Sequence, residues 1–278
     1  MDVEMWSARS GARILDTFVD SLSLTEALEK SSEWAQSPRA RTVHFCNVHS
    51  LVTASVHPAF AQSCRDADLI LPDGSPVAWM LRVLGYPAQK RISGPDFMWL
   101  YCAAMQERNG SVYLYGNKQT TLEKLANVLH ETFPQLRIAG MLSPPYRTLT
   151  NDEDERIVNE INASGAQVVF VSLGCPKQEL WMMAHRGRIH AVMLGVGAAF
   201  DYHAGTVQRP PLWVQNSGLE WFCRLTQEPK RLWKRYLIAN AIFTFRAFGQ
   251  TFDHVFKRQD SAPRIGESSS QPSTEPDS

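Results

Sequence analysis

A chain of 278 residues, 44% hydrophobic and 20% charged, has room for one or two domains with a sizeable core, which excludes a fibrous or wholly disordered protein. Its 28 basic and 28 acidic side chains cancel, so no global charge argues for nucleic acid. Five scattered cysteines (Cys46, Cys64, Cys102, Cys175, Cys223) without C-x-x-C spacing argue against a zinc site or a disulfide framework and for a reducing compartment.

No basic start with an apolar core opens the chain, so no signal peptide is expected. No uncharged apolar run reaches the roughly 18 residues of a membrane span. Residues 1–40 read as a helical segment, with one helix over 24–34 opened by Thr25. Residues 42–46 read as a strand ended by Asn47, and Val48, Leu51, Val52 and Val56 then recur at helical spacing up to His57-Pro58. Leu69-Ile70-Leu71 is a short buried strand that stops at Pro72-Asp73-Gly74, because proline cannot donate to a ladder and glycine tolerates positive φ. Asp73 therefore sits where a strand hands over to a loop.

A compact apolar helix follows over 76–84, with Gly85 past its end. Ser93-Gly94-Pro95-Asp96 reads as the entry to a helix that reaches about Arg108. Strands are expected at 112–116, 136–141, 168–173 and 190–196. Between them lie helices at 122–133, at 152–163 with an acidic first turn, and one begun by Pro176. Strands alternating with helices predict an α/β fold: a Rossmann-like parallel sheet with helices on both faces, over residues 41–210.

After Arg209-Pro210-Pro211 the pattern changes. Residues 211–257 offer no strand and are rich in Trp and Phe, and their basic side chains (Arg224, Lys230, Arg231, Lys234, Arg235, Arg246, Lys257) outnumber Glu220, Glu228 and Asp253. A basic, aromatic helical appendage suits contact with an anionic membrane surface. Residues 258–278 are expected to be a disordered tail.

Three further stretches carry chemistry. Gly174-Cys175-Pro176-Lys177-Gln178 follows a strand and opens a helix, so free backbone N–H groups, a positive dipole end and Lys177 face any anion there. The Gln178 amide suits a sugar hydroxyl or a base edge. Gly195-Val196-Gly197 permits close approach of the backbone to a ligand, with Asp201 nearby for a ribose hydroxyl. It lacks the third glycine and the later acidic residue of a nicotinamide fingerprint. Arg91 stands before the helix entry at Ser93, again suited to phosphate. All fall on the rim where a doubly wound sheet binds ligands.

Asn47, the segment 67–74, Arg91-Ile92-Ser93-Gly94-Pro95-Asp96, the segment 174–179, Gly195 to Asp201, Ala204-Gly205 and Gly218-Leu219-Glu220-Trp221 to Gln227-Glu228-Pro229, in this order, resemble the WecG/TagA/CpsF family of bacterial glycosyltransferases. The likeness covers about residues 42–240. It implies an inverting, metal-independent enzyme that moves a sugar (N-acetylmannosamine, its uronic acid, or glucose) from a UDP donor to a polyprenyl-diphosphate-linked saccharide. That places it in cell-surface or exopolysaccharide synthesis, in the cytoplasm at the inner face of the plasma membrane.

Matched residue by residue, Asp73 stands at the family's proposed catalytic base, and Asn47 and Gln178 stand near the donor sugar. Tyr146 and Asp201 fall on the nucleotide side with Arg91, Gly174, Lys177, Gly195 and Gly197. Arg224, Arg231 and Lys234 match positions thought to meet the lipid diphosphate. Phe45 departs from the Thr of some members, which bears on the identity of the donor sugar. No cofactor and no metal are expected, since no Asp-x-Asp stands beside a strand and Asp152-Glu153-Asp154 reads as a dipole-matched helix start. A sugar-nucleotide oxidoreductase or epimerase and a non-catalytic membrane adaptor are the rival readings. The oligomeric state is open, a homo-oligomer included.

Overall fold

The computed structural model describes residues 9–217, 220–227 and 229–260; the side chains of residues 212, 216, 217, 224, 231, 232, 235, 236 and 255–260 lie outside the described residues. Six strands make one parallel sheet: β3 (Arg41–Cys46), β4 (Leu69–Pro72), β5 (Ser111–Gly116), β6 (Arg137–Leu142), β7 (Val168–Ser172) and β8 (Val192–Gly195), in the order β4-β3-β8-β7-β5-β6. They are preceded by an antiparallel hairpin, β1 (Gly11–Ile14) and β2 (Thr17–Asp20). This is the Rossmann-like α/β arrangement that the alternation of periods predicts.

The helices are α1 (Leu24–Trp34), α2 (Val48–Val56), α3 (Pro58–Asp66), α4 (Ser75–Val83), α5 (Gly94–Glu107), α6 (Gln119–Thr132), α7 (Asn151–Ala163), α8 (Lys177–Ala184) and α9 (Ala199–His203). Then come α10 (Leu212–Ser217), α11 (Glu220–Gln227) and α12 (Pro229–Asp260). Caps explain several boundaries. Ser23, not Thr25, caps α1 in a capping box with Glu26, and Thr150 with Glu153 does the same for α7. Asn47 caps α2 through a bond from the Ser50 N–H, and Ser93 caps α5 through one from Asp96.

Successive strand residues face opposite ways, and each face has its own core. Val43, Phe45, Leu69, Leu71, Val112, Leu114, Val168, Phe170, Val192 and Leu194 pack with Phe97, Tyr101 and Leu125 on one face. On the other, Cys46 and Ile70 join Leu51, Phe60 and Met80, while Tyr113, Val169, Val171 and Met193 join Ile157 and Ile161. Both faces are buried, which is why the strands read as continuous apolar runs.

Two features differ from the sequence expectation. The segment before α1 is a β-hairpin rather than helical, and it closes the β4 edge: Asp20 accepts the Ile70 N–H at 2.7 Å and pairs with Arg9 at 2.8 and 2.5 Å. Two four-residue strands are too short to register as a period-2 pattern. The 211–257 stretch, helical as expected, is not wholly an appendage. Ala239, Phe243 and Ala247, spaced four apart on one face of α12, are buried in the core with α2 and α4. Gln250 bonds both Leu15 N (2.9 Å) and Arg13 O (2.6 Å) in the hairpin, and Arg246 pairs with Asp16. The helix runs to Asp260, past the expected end at 257, and the rest of the predicted tail, 261–278, lies outside the described residues.

Asp20 is 2% exposed, so removing its carboxylate leaves a buried backbone N–H unpaired and takes from Arg9 its carboxylate partner, with only Ala67 O still bonded to it among the described residues. Asp20→Ala is expected to cost about 3–5 kcal/mol in urea unfolding. Asp20→Asn, which keeps an acceptor for Ile70, is expected to cost less; equal losses would show that the edge contact to β4 contributes nothing.

Candidate active site

Every strand of the sheet ends at the same cleft of about 1380 Å³. Phe45 and Asn47 come from the end of β3, Asp73 from β4, Asn117 from β5, residues 143–150 from β6, Gly174 to Gln178 from β7, and Gly195 to Asp201 from β8. The ten residues expected at the sugar, nucleotide and base positions all line it. Lys234 does not; it projects from α12 with its ammonium 5.5 Å from the Trp233 ring. The side chains of Arg224 and Arg231 lie outside the described residues.

Asp73 is held by the backbone on either side of it. Its N–H donates to Cys46 O at 2.8 Å, continuing the β3–β4 ladder one step past the strand, and Ile92 N–H donates to Pro72 O at 2.9 Å. The second bond lays the segment carrying Arg91 along the end of β4. Arg91 Nε then stands 3.7 Å from Asp73 Oδ1, with the carboxylate 24% exposed and turned into the cleft. Gly74 follows at φ +102°, a conformation that a side chain would strain, and so the chain turns at once into α4.

Arg91 is shared. Its other nitrogens reach Gln215 O at 3.4 Å and the carboxylate of Glu220, the first residue of α11. The guanidinium thus lies between the candidate base and the C-terminal helices. Glu220 lines the cleft too, and its role is not visible in the sequence, because the partner is distant in the chain.

Gln178 sits differently from the sugar-facing position expected of it. The side chain is 5% exposed, its Nε2 donates to Gly195 O at 2.7 Å and to Glu179 Oε1 at 3.0 Å, and its Oε1 accepts the Gly174 N–H at 3.2 Å. It ties the end of β7 to the end of β8. Gly195 is glycine for the same reason, since a Cβ there would lie 3.0 Å from Gln178 Nε2. Asn47 likewise directs its Oδ1 to the backbone of α2, which turns the amide NH2 away from the helix.

At the other end of the cleft, Lys177 opens α8 with its ammonium 4.5 Å from the ring centre of Tyr146. Tyr146 is 98% exposed, so one face of its ring is open to a planar ligand. Asp201 accepts from Asn117 Nδ2 (3.0 Å) and Thr206 Oγ1 (3.2 Å), and Asn117 also reaches Ser172 Oγ. Asn117, at φ +61°, is a site residue the sequence reading missed; its signal is that it ends β5 as Asn47 ends β3. Tyr115, Trp181 and His185 add an aromatic stack at 4.2 and 4.1 Å, and His185 is fixed by Asp154 at 2.9 Å. Asp154, expected only as a helix-dipole partner, is therefore also part of a side-chain network with Arg188.

Burial, with Arg186 and Arg9 nearby, holds His44 of β3 down at about 3, so its imidazole carries no charge. Burial first, and the Glu179 carboxylate second, push the Cys64 thiol up to about 12. For Asp96, burial raises the carboxyl, but bonds from Arg209 and Ser93 outweigh it and leave it below its ordinary value. Among the described residues no cluster of three His, Cys, Asp or Glu side chains is arranged to hold a metal.

The family described as "Glycosyl transferase WecG/TagA/CpsF family" matches residues 12–257. Two relatives carry the name N-acetylglucosaminyldiphosphoundecaprenol N-acetyl-beta-D-mannosaminyltransferase. That of Bacillus spizizenii is 31% identical over 185 residues, covering 66% of this chain and 70% of its own length. That of Bacillus subtilis is 34% identical over 175 residues, covering 62% and 65%.

Replacing Gln178 by Leu keeps the volume but leaves Gly195 O and Gly174 N–H without their partner. It is expected to lower stability by about 1–3 kcal/mol in urea unfolding. An unchanged midpoint would mean that the two rims are held by other contacts.

Proposed function

The chain belongs to the WecG/TagA/CpsF family and is a sugar-transferring enzyme, and from that premise we propose an inverting transfer from a UDP-sugar to a saccharide linked through diphosphate to a polyprenyl lipid. The observation that carries the reading is Asp73 at a strand end, opening into a cleft that also presents Lys177, Arg91 and the first turn of α8. A carboxylate suits the removal of a proton from the attacking hydroxyl, and cations with a helix N-terminus suit a departing diphosphate.

In the proposed step the acceptor oxygen forms its bond to the anomeric carbon as its proton passes to Asp73. The bond from that carbon to the UDP oxygen breaks, and UDP leaves with the electron pair. Lys177 and the backbone N–H groups at the start of α8 receive the charge. Tyr146 stacks on the base and Asp201, oriented by Asn117, takes a ribose hydroxyl. Gln178 acts as a positioning residue, since its amide already bonds the two rims. Asn47 turns its amide NH2 toward the donor sugar. The relatives' name supports N-acetylmannosamine as the sugar, and Phe45 is the residue by which this chain's donor differs if another sugar is used.

The C-terminal helices supply the membrane side of the proposal. No helix among the described residues is long and apolar enough to cross a bilayer. Instead, Trp213, Trp233, Phe245, Phe248 and Phe252 are exposed on the C-terminal helices, which also carry Lys230 and Lys234. Arg224, Arg231 and Lys234 are proposed to meet anionic headgroups or the lipid diphosphate at the inner face of the plasma membrane.

With a purified enzyme, UDP-N-acetylmannosamine and a lipid-diphosphate N-acetylglucosamine acceptor, Asp73→Asn is expected to lose about 10²–10⁴ in kcat while binding UDP unchanged in calorimetry. Transfer in the same assay is expected to continue in EDTA. Wild-type turnover by the variant removes Asp73 from the chemistry, and loss of all activity in EDTA overturns the metal-free step. Cosedimentation with vesicles is expected to require anionic lipid and to fall when Arg224, Arg231 and Lys234 are replaced together by Gln. Binding indifferent to both changes would refute the membrane contact.

A further inference from the structure

A second cavity, of about 1000 Å³, lies between α11 and α12. Trp221 and Phe222 form one wall and Trp233, Leu237, Phe245 and Phe248 the other, while Asn240 and Thr244 are its polar members. The face of α12 turned into it is opposite the one that packs on the core. Ala239, Phe243 and Ala247 are buried, whereas Phe245 is 83% and Phe248 74% exposed. Apolar area of this kind in contact with water marks a binding surface.

The groove adjoins the active-site cleft along α11. Glu220 lines the cleft and touches Arg91, and the next two residues of the same helix, Trp221 and Phe222, line the apolar groove. Groups therefore follow one another in a fixed order: the Asp73 carboxylate, the Arg91 guanidinium 3.7 Å from it, the start of α11, and then an aromatic slot. A lipid-diphosphate saccharide has the same order along its length: reacting hydroxyl, sugar, diphosphate, hydrocarbon. A slot with aromatic walls on both sides suits a single chain, whereas insertion into a bilayer needs only a convex apolar face.

We propose that the groove between α11 and α12 seats the first isoprene units of the acceptor, drawing them out of the bilayer so that the diphosphate enters the cleft. This deepens the acceptor class proposed above and rests on it. It makes the groove a recognition site for the hydrocarbon itself, distinct from an attraction to the membrane surface.

The test uses farnesyl diphosphate and inorganic diphosphate as probes, by calorimetry on the full chain in buffer free of detergent and vesicles. Farnesyl diphosphate is expected to bind about tenfold or more tightly than inorganic diphosphate. The double variant Leu237→Glu/Phe245→Glu, at two exposed positions, is expected to erase that preference while inorganic diphosphate and UDP bind as before. Circular dichroism checks that α12 persists. Equal affinities in the wild type, or a preference that survives the double variant, overturn the proposal. A preference that appears only when vesicles are added also overturns it, and makes the face a bilayer contact. UDP titration in the same instrument reports separately on the transferase reading, which stands or falls without the groove.

Discussion

The site depends on two backbone hydrogen bonds at the outer end of β4. One, from Asp73 N to Cys46 O, keeps the sheet going for a single residue beyond Pro72; the other, from Ile92 N to Pro72 O, brings a loop back alongside. Together they set a carboxylate beside a guanidinium at the edge of a parallel sheet, where the backbone has little freedom to let either move. Side chains on such rigid elements hold their geometry better than side chains on loops. Asp73 is thus placed by main-chain geometry, and Arg91 is brought to it by the same means.

Arg91 in turn joins the sheet to the helices that follow it. Because its nitrogens face Asp73, Gln215 O and Glu220, the charge on the candidate base and the docking of α11 share one guanidinium. Such sharing lets a negatively charged ligand compete with a carboxylate for a common partner. The sequence shows Arg91 only as a cation before a helix entry, and the long-range pairing that gives it this position has no local signature.

Much of the architecture was legible because a buried parallel sheet writes itself as apolar runs broken by Pro, Gly and Asn. The strand ending at Asp73, the cap at Ser93 and the glycine cluster at Gly195 all follow from local chemistry, and the first and last of them line the cleft. The hairpin over residues 11–20 was not legible, since four-residue strands carry too little alternation and their partners are the β4 edge and α12. Gln178 shows a different limit. Its type and position point to the site, but only the fold reveals that Gly195 O and Gly174 N already use its amide. Asn117 and Glu220 were missed for the same reason: each acquires its role from a residue far away in the chain.

The hairpin also fastens an early segment of the chain to its last described helix. Leu15 and Gln250 are 235 positions apart and share a hydrogen bond, as do Arg13 and Gln250. A deletion near the amino terminus would therefore loosen a helix at the far end, and trimming that helix would leave the opening strands without their clasp. Changes that reach residues 13–16 or 246–250 act on one joint, and cutting into either segment amounts to a single lesion.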